Sequence, residues 1–365
     1  MSRVKKILVI VGTRPNFIKV TRFREVASKY ADLDLKIIHT GQHYDGKMAD
    51  IFFQQFGLVP DYFLDVPPGS PNGQIAEIMV RLEKVFLEFQ PDLVLVVGDV
   101  NSTLAASITA NKMGIRLGHI ESGLRSNDRT MPEEFNRLVT DELADFLFVT
   151  EQSGLDHLAE EKKKTAIHFV GNTMIDTMVA FDKQIDAAPV LDTLKLQPGK
   201  YVLMTMHRPS NVDTREGLEL LLQLVTRLTE KYDIVFPVHP RTVKFMQQYG
   251  LEKSFRDNSR IIFTEPLDYF AFQKLILHAR FILTDSGGIQ EETTFRQVPC
   301  LTLRPNTERP VTVTLGSNVL LPFEMNGIME CVNQIENGTF RKGEIPPLWD
   351  GRATERIFEV ISTIH

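Results

Sequence analysis

The sequence predicts an α/β protein built from two doubly wound domains that face a cleft, and three observations carry the prediction. Short β-branched runs, apolar on both faces, recur between longer amphipathic stretches throughout the chain. The alternation restarts after a break containing Asp186-Ala-Ala-Pro189 and Gln197-Pro-Gly-Lys200, which divides the chain into 1–175 and 176–350. A length of 365 residues accommodates two domains at roughly 150 residues each.

The first strand, over 7–11, is an apolar run stopped by Gly12-Thr13-Arg14, and Pro15 suits the first turn of a helix over 15–30. A second apolar run over 35–40 is followed by a helix over 74–89. Residues 93–97 form an all-apolar strand closed by Gly98-Asp99, ahead of a helix over 102–113. His119-Ile120-Glu121-Ser122-Gly123 ends the next strand, and 146–150 supplies another. Beyond the break, strands over 201–205, 234–237, 281–284 and 300–303 alternate with helices over 215–231 and 269–278.

Lys and Arg number 41 against 47 Asp and Glu, a net charge of −6, so no overall field recruits nucleic acid or an anionic membrane. Any anion must be captured locally. Cys300 and Cys331 are too few for a disulfide framework or a zinc knuckle, which suits a reducing compartment. Arg3, Lys5 and Lys6 precede an apolar run too short for an export signal, and nothing approaches the ~18 uninterrupted apolar residues of a membrane span. The expected location is the cytoplasm.

Ligands of open α/β sheets sit at the carboxyl ends of strands, which directs attention there. Neither G-x-G-x-x-G nor G-x-x-x-x-G-K-[ST] occurs, so nicotinamide and ATP chemistry lack support. Arg14 and Lys19 place positive charge at a helix start, against the helix dipole, which favours an anion-binding role. Asp99 and Glu121 follow apolar strands, where partial desolvation and a like charge suit general acid–base work; Asp99 could instead cap the next helix. Glu133 and Glu134 add acids in a following loop. His207-Arg208 and His239-Pro-Arg241 end two later strands, where each His–Arg pair fits diphosphate binding or leaving-group protonation; no cluster has zinc spacing, so no metal is expected. Thr284-Asp-Ser286-Gly287-Gly288-Ile-Gln-Glu-Glu292 puts small residues between a strand and a helix, a phosphate-binding pattern, with Glu292 one turn on for ribose hydroxyls.

These segments together resemble one family. Gly12-Thr-Arg-Pro, Thr40-Gly-Gln-His, Gly98-Asp, His119-Ile-Glu-Ser-Gly-Leu-Arg, Met131-Pro-Glu-Glu-Phe-Asn-Arg, His207-Arg, the Thr284–Glu292 run and Thr307-Glu-Arg-Pro are similar, in order, to the non-hydrolysing UDP-N-acetylglucosamine 2-epimerases. The resemblance implies a glycosyltransferase-B-type fold with two Rossmann-like domains, the C-terminal helix 351–365 packing back on the first. It implies a homodimer without organic cofactor. It implies C2 epimerisation of UDP-N-acetylglucosamine to UDP-N-acetylmannosamine, by elimination of UDP to 2-acetamidoglucal and its re-addition. Position by position, it implies catalytic Asp99, Glu121, Glu133 and His207, cleft cations Arg14 and Lys19, an aromatic beside uracil at Phe272, phosphate contacts at Ser286 and Gly287, a ribose ligand at Glu292 and a diphosphate arginine at Arg309. Arg208, His239 and Gly288 join the expected substrate-binding set.

The loop from Gln42 to Met48 and the segment His207-Arg-Pro-Ser-Asn211 depart from the commoner family pattern. The resemblance also implies a second, activating substrate site, as in many bacterial members, whose matching positions here are Gln42, His43, Glu134 and Arg208. Pro209-Ser210 removes an Arg-Glu pair from it, so weakened activation is expected. A sister activity on a UDP-2,3-diacetamido uronic acid, a glycosyltransferase on the same fold and a silent nucleotide-sugar sensor are the alternatives.

Overall fold

The first strand, β1 (Lys5–Val11), is followed in the computed structural model by six more parallel strands: β2 (Leu33–His39), β3 (Tyr62–Phe63), β4 (Leu93–Val97), β5 (Arg116–Ser122), β6 (Phe146–Val149) and β7 (Ala166–Phe169). Residues 3–41, 53 and 55–364 are described. The sheet order is β3-β2-β1-β4-β5-β6-β7, so the winding reverses between β1 and β4. Those two strands carry unbroken apolar runs because helices cover both of their faces. One face is filled by Leu8, Ile10, Val94, Val96 and the helices Pro71–Phe89 and Asn101–Lys112.

The residues expected to form one helix over 15–30 form two short ones, Arg14–Ile18 and Phe23–Ala27. The interruption has a cause far away in sequence. Thr177 Oγ1 donates to the Ile18 carbonyl at 2.5 Å and meets Thr21 Oγ1, so the helical ladder is replaced by side-chain bonds at that turn.

Segment Pro347–His365 belongs to the same compact unit as Met1–Ala180. Trp349, buried, donates to the Thr150 carbonyl at 3.0 Å. Asp176 accepts from the Ala353 and Thr354 amides that open the helix Ala353–Thr363. Lys5 Nζ donates to the carbonyls of Ile361 and Ile364 at that helix's far end, the favourable place for a cation.

The second unit, Phe181–Pro346, holds β8 (Tyr201–Thr205), β9 (Asp233–Pro237), β10 (Ile261–Thr264), β11 (Phe281–Thr284), β12 (Cys300–Leu303) and β13 (Asn318–Leu321). All pair in parallel in the order β10-β9-β8-β11-β12-β13, so this sheet reverses between β8 and β11. Helices Arg215–Leu228 and Met325–Asn337 pack on one face, Tyr269–His278 and Gly288–Arg296 on the other.

Candidate active site

In each sheet the chemistry-bearing residues lie at the carboxyl edge where the winding reverses, the position at which open α/β sheets take ligands. In the first unit the ends of β1, β4 and β5 converge. Asn16 accepts from the Gly12 and Thr13 amides and donates to the Val97 carbonyl at 3.0 Å, tying the β1 turn to the β4 end. Lys19, leaving the short helix after β1, forms a buried ion pair with Glu121 Oε2; the two residues are 5% and 3% exposed.

Glu121 sits where the β5–β6 register shifts, and its φ of 69° is left-handed. A bulged, non-glycine residue in that region costs on the order of 1–3 kcal/mol and is kept where the surroundings demand it. Its second oxygen, Oε1, is buried without a hydrogen-bond partner among the described residues. Gly98, at φ 68°, makes room for this arrangement: a Cβ there would stand 3.3 Å from Glu121 Oε2 and 3.3 Å from Asn16 Nδ2. The result is a bare carboxylate oxygen beside a buried ammonium.

Asp99 follows directly. Its Oδ2 accepts from Arg137 Nε at 3.0 Å and pairs with Nη2 at 2.9 Å, while its side chain stays 28% exposed. Arg137 lies on the helix Pro132–Leu143. Glu133 is half-buried in that helix's first turn, and its side chain makes no hydrogen bond among the described residues. Glu134 is buried, and its oxygens are taken by Ser126, Asn127 and Arg137. Burial pushes its carboxyl up, but those donors outweigh it and hold the group below the usual range. Behind the edge, His119 bonds Asp141 at 2.6 Å through Nδ1 and the Gly98 carbonyl at 2.9 Å through Nε2. Asp141 also accepts from the Gly123 amide and Arg125.

In the second unit Asp285, fully buried after β11, organises the β8 end. It accepts from the amides of His207 and Arg208, from Asn211 Nδ2, and from His207 Nδ1 at 3.0 Å. Burial raises its carboxyl, and the bonds from His207 and Arg208 more than reverse this, leaving it below its ordinary value. His207 is therefore held by Nδ1, with its side chain 39% exposed. His239 stands with its ring 5.4 Å from that of His207, and burial, His207 and Arg241 lower its proton affinity. Its Nδ1 accepts from the Arg241 amide, capping the helix Pro240–Gln248. The Arg241 guanidinium is engaged by Asp213.

Ser286, Gly287 and Gly288 lead into the helix Gly288–Arg296. A Cβ on Gly287 would lie 2.8 Å from Glu308 Oε1 and 3.1 Å from Arg309 Nη1, so the bare backbone of the turn lets this ion-paired cluster approach closely. Arg309 pairs with Glu308 and Glu291, and Arg304 with Glu308. Two of the Arg304 nitrogens, Nε and Nη1, are buried without a hydrogen-bond partner among the described residues. Glu292 is buried one turn into the helix, and Phe272 packs half-buried on the core.

Each unit thus gathers its own share of the expected residues: Arg14, Lys19, Asp99, Glu121, Glu133 and Glu134 in the first, and His207, Arg208, His239, Phe272, Ser286 to Gly288, Glu292 and Arg309 in the second. Gln42 and His43 lie outside the described residues. Sequence reasoning assigned no role to Asn16, His119, Arg137, Asp141, Asp285 and Arg304, although His119, Arg137 and Asp285 lie within the quoted motifs. Among the described residues, no group of three or more His, Cys, Asp or Glu could hold a metal ion, and no helix is long and apolar enough to cross a membrane.

Two doubly wound parallel units, one with carboxylates at neighbouring strand ends and one with a glycine-rich turn flanked by buried arginines, define a nucleotide-sugar enzyme of glycosyltransferase-B-type architecture. The family model for UDP-N-acetylglucosamine 2-epimerase matches residues 25–362. The chain is 38% identical over 365 residues to the UDP-N-acetylglucosamine 2-epimerase of Methanococcus maripaludis, covering 98% of each. It is 34% identical to the UDP-2,3-diacetamido-2,3-dideoxy-D-glucuronate 2-epimerase of Pseudomonas aeruginosa, covering 98% of this chain and 100% of that one. The crystal structure of the Methanocaldococcus jannaschii UDP-GlcNAc 2-epimerase in complex with UDP-GlcNAc and UDP superposes with a TM-score of 0.89 at 36% identity, covering 98% and 99% of the two chains. The protein belongs to the UDP-N-acetylglucosamine 2-epimerase family.

Proposed function

We propose that the chain interconverts UDP-N-acetylglucosamine and UDP-N-acetylmannosamine without a metal or organic cofactor. The buried Oε1 of Glu121, without a hydrogen-bond partner among the described residues, carries this reading: a carboxyl oxygen kept out of water needs a substrate proton or hydroxyl to satisfy it. Elimination removes the C2 proton while the C1–O bond to UDP breaks, giving 2-acetamidoglucal. Asp99 and Glu121 are the candidates for that proton and for its return from the other face, with Lys19 steadying Glu121. Glu133, unbonded in its helix turn, is the third candidate acid.

UDP leaves with its negative charge on the diphosphate. Arg309, the two unpartnered nitrogens of Arg304 and the turn Ser286 to Gly288 are suited to hold it, and His207, fixed by Asp285, can donate a proton there. Phe272 and Glu292 are assigned to the nucleoside. Arg14, Arg208 and His239 complete the substrate-binding set, and a cytoplasmic homodimer is the proposed form. Similarity to the Pseudomonas aeruginosa enzyme supports a second reading, C2 epimerisation of a UDP-2,3-diacetamido uronic acid.

Incubation with each UDP-sugar in D2O, with C2 followed by NMR, tests both. Deuterium entering C2 of both epimers of the N-acetyl sugars is expected. Full retention of C2 protium through turnover would exclude proton abstraction, and turnover of the uronic acid alone would select the second reading.

A further inference from the structure

We propose that Arg137 and the His119–Asp141 pair are positioning residues for Asp99, which they clamp at the Gly98–Asp99 step from two sides. The inference rests on the reading of Asp99 as a proton-transfer group. Asp99 lies between the end of β4 at Val97 and the helix beginning at Asn101, so no regular element fixes it. A carboxylate that moves a proton must be held to within about half an ångström of its productive position, and a side chain on a turn has several staggered rotamers open to it.

One helix face supplies the restraint. Glu134, Arg137 and Asp141, spaced i, i+3 and i+7 on the helix Pro132–Leu143, are all buried and all engaged. Arg137 directs two nitrogens at the same Asp99 oxygen, Oδ2, while Oδ1 bears no hydrogen bond among the described residues. Two contacts on one oxygen select a rotamer and leave the other oxygen for substrate. Glu134 grips Arg137 from behind and is itself tied to the backbone of Ser126 and Asn127. Asn136 adds a bond to the Asp99 carbonyl at 2.7 Å.

The second side of the clamp acts on the backbone. The Gly98 carbonyl accepts from His119 Nε2, and His119 is locked by Asp141 through its other nitrogen. Because a trans peptide points its C=O and N–H in opposite directions, fixing the Gly98 oxygen also fixes the Asp99 amide and the place at which its Cα leaves the peptide plane. The same bond holds Gly98 at its φ of 68°, against Glu121 and Asn16. His119 therefore anchors the step that carries Asp99 without touching its carboxylate.

The test uses the full chain, with C2 deuteration and turnover in D2O read alongside UDP affinity by calorimetry. Arg137→Met is expected to lower kcat on the order of 10–100-fold, the scale of a misplaced catalytic group. UDP affinity should stay at the wild-type value, because the nucleotide residues lie in Phe181–Pro346. Arg137→Lys should regain part of the loss. In an Asp99→Asn background Arg137→Met should cost nothing further, whereas a merely structural Arg137 would multiply the two losses. His119→Gln, which keeps a donor for the Gly98 carbonyl, should outperform His119→Leu and serves if Arg137→Met does not fold. Wild-type turnover in Arg137→Met, or multiplied losses in the double variant, would overturn the proposal. Absence of C2 deuteration in the wild-type protein would instead overturn the functional reading, and this inference with it.

Discussion

Replacing Glu121 by Gln tests two things at once, and the structure separates them. Lys19 and Glu121 are 5% and 3% exposed, so the substitution leaves a buried ammonium without its counter-charge. Breaking such a pair from one side costs about 3–5 kcal/mol, and the Gln carbonyl, which still accepts from Lys19, places this case at the lower end. For a unit of this size each kcal/mol shifts the melting temperature by roughly 2–4 °C, giving a fall on the order of 10 °C. Sequence reasoning alone assigns the change no structural cost. Scanning calorimetry and C2 deuteration should be run on Glu121→Gln and on Lys19→Met with Glu121→Gln. The double variant should regain most of the lost stability, since no unpaired charge remains, yet show no proton exchange. A single variant that melts like the wild type would refute the buried-pair argument; one that exchanges C2 protons at the wild-type rate would remove Glu121 from the chemistry.

Gly98→Ala places a Cβ at left-handed φ against Glu121 and Asn16, so a stability loss of about 1–2 kcal/mol by denaturant titration should accompany a much larger fall in kcat. Asp285→Asn should lower kcat on the order of 10² by releasing the His207 ring, with UDP affinity by calorimetry as the control. His39 is held by burial at a pKa of about 4, below its unfolded value near 6.5, so protonation favours unfolding. Its contribution, on the order of 3 kcal/mol, is fully present above pH about 6.5 and lost as pH falls through about 4, and His39→Gln should flatten that limb of a pH–stability curve. UDP-N-acetylmannosamine alone should be epimerised without a lag in progress curves, because Glu134 is already saturated by Ser126, Asn127 and Arg137 and Arg208 Nε by the Asp285 carbonyl; a lag abolished by a trace of UDP-N-acetylglucosamine would refute this.

Central strands were legible because burial on both faces leaves an unbroken apolar run, as in Leu93–Val97. Ala166–Phe169, Ile261–Thr264 and Asn318–Leu321 were not, since they lie at or next to sheet edges and carry mixed side chains. Asp99 and Glu121 announced themselves as acids closing apolar runs. Their partners did not: Lys19 and Glu121 are 102 positions apart, and the bond that interrupts the first helix comes from Thr177. The left-handed turn at Glu121 has no local sequence signal, because glycine is the residue that normally marks it. Arg137 and Asp141 did leave a trace, polar residues at i, i+3 and i+7 from Glu134, and a reading that asked which polar side chains share the buried face would have found them.

The return of Pro347–His365 to the first unit has a consequence for biogenesis. Domains emerging from the ribosome ordinarily fold in order, the earlier one first. Here all seven strands of the first sheet emerge early, yet the unit cannot be finished until the whole of Phe181–Pro346 has been made, because Trp349, Phe358 and the carbonyls that hold Lys5 arrive last. During that interval Phe23, whose ring meets Phe358 edge-on at 5.5 Å, and the Asp176 carboxylate, which later receives two backbone amides, lack their covering. The nascent chain thus carries an open apolar seat through the translation of the second unit, a vulnerable window in which chaperones, stalled ribosomes or a premature stop decide the fate of the enzyme.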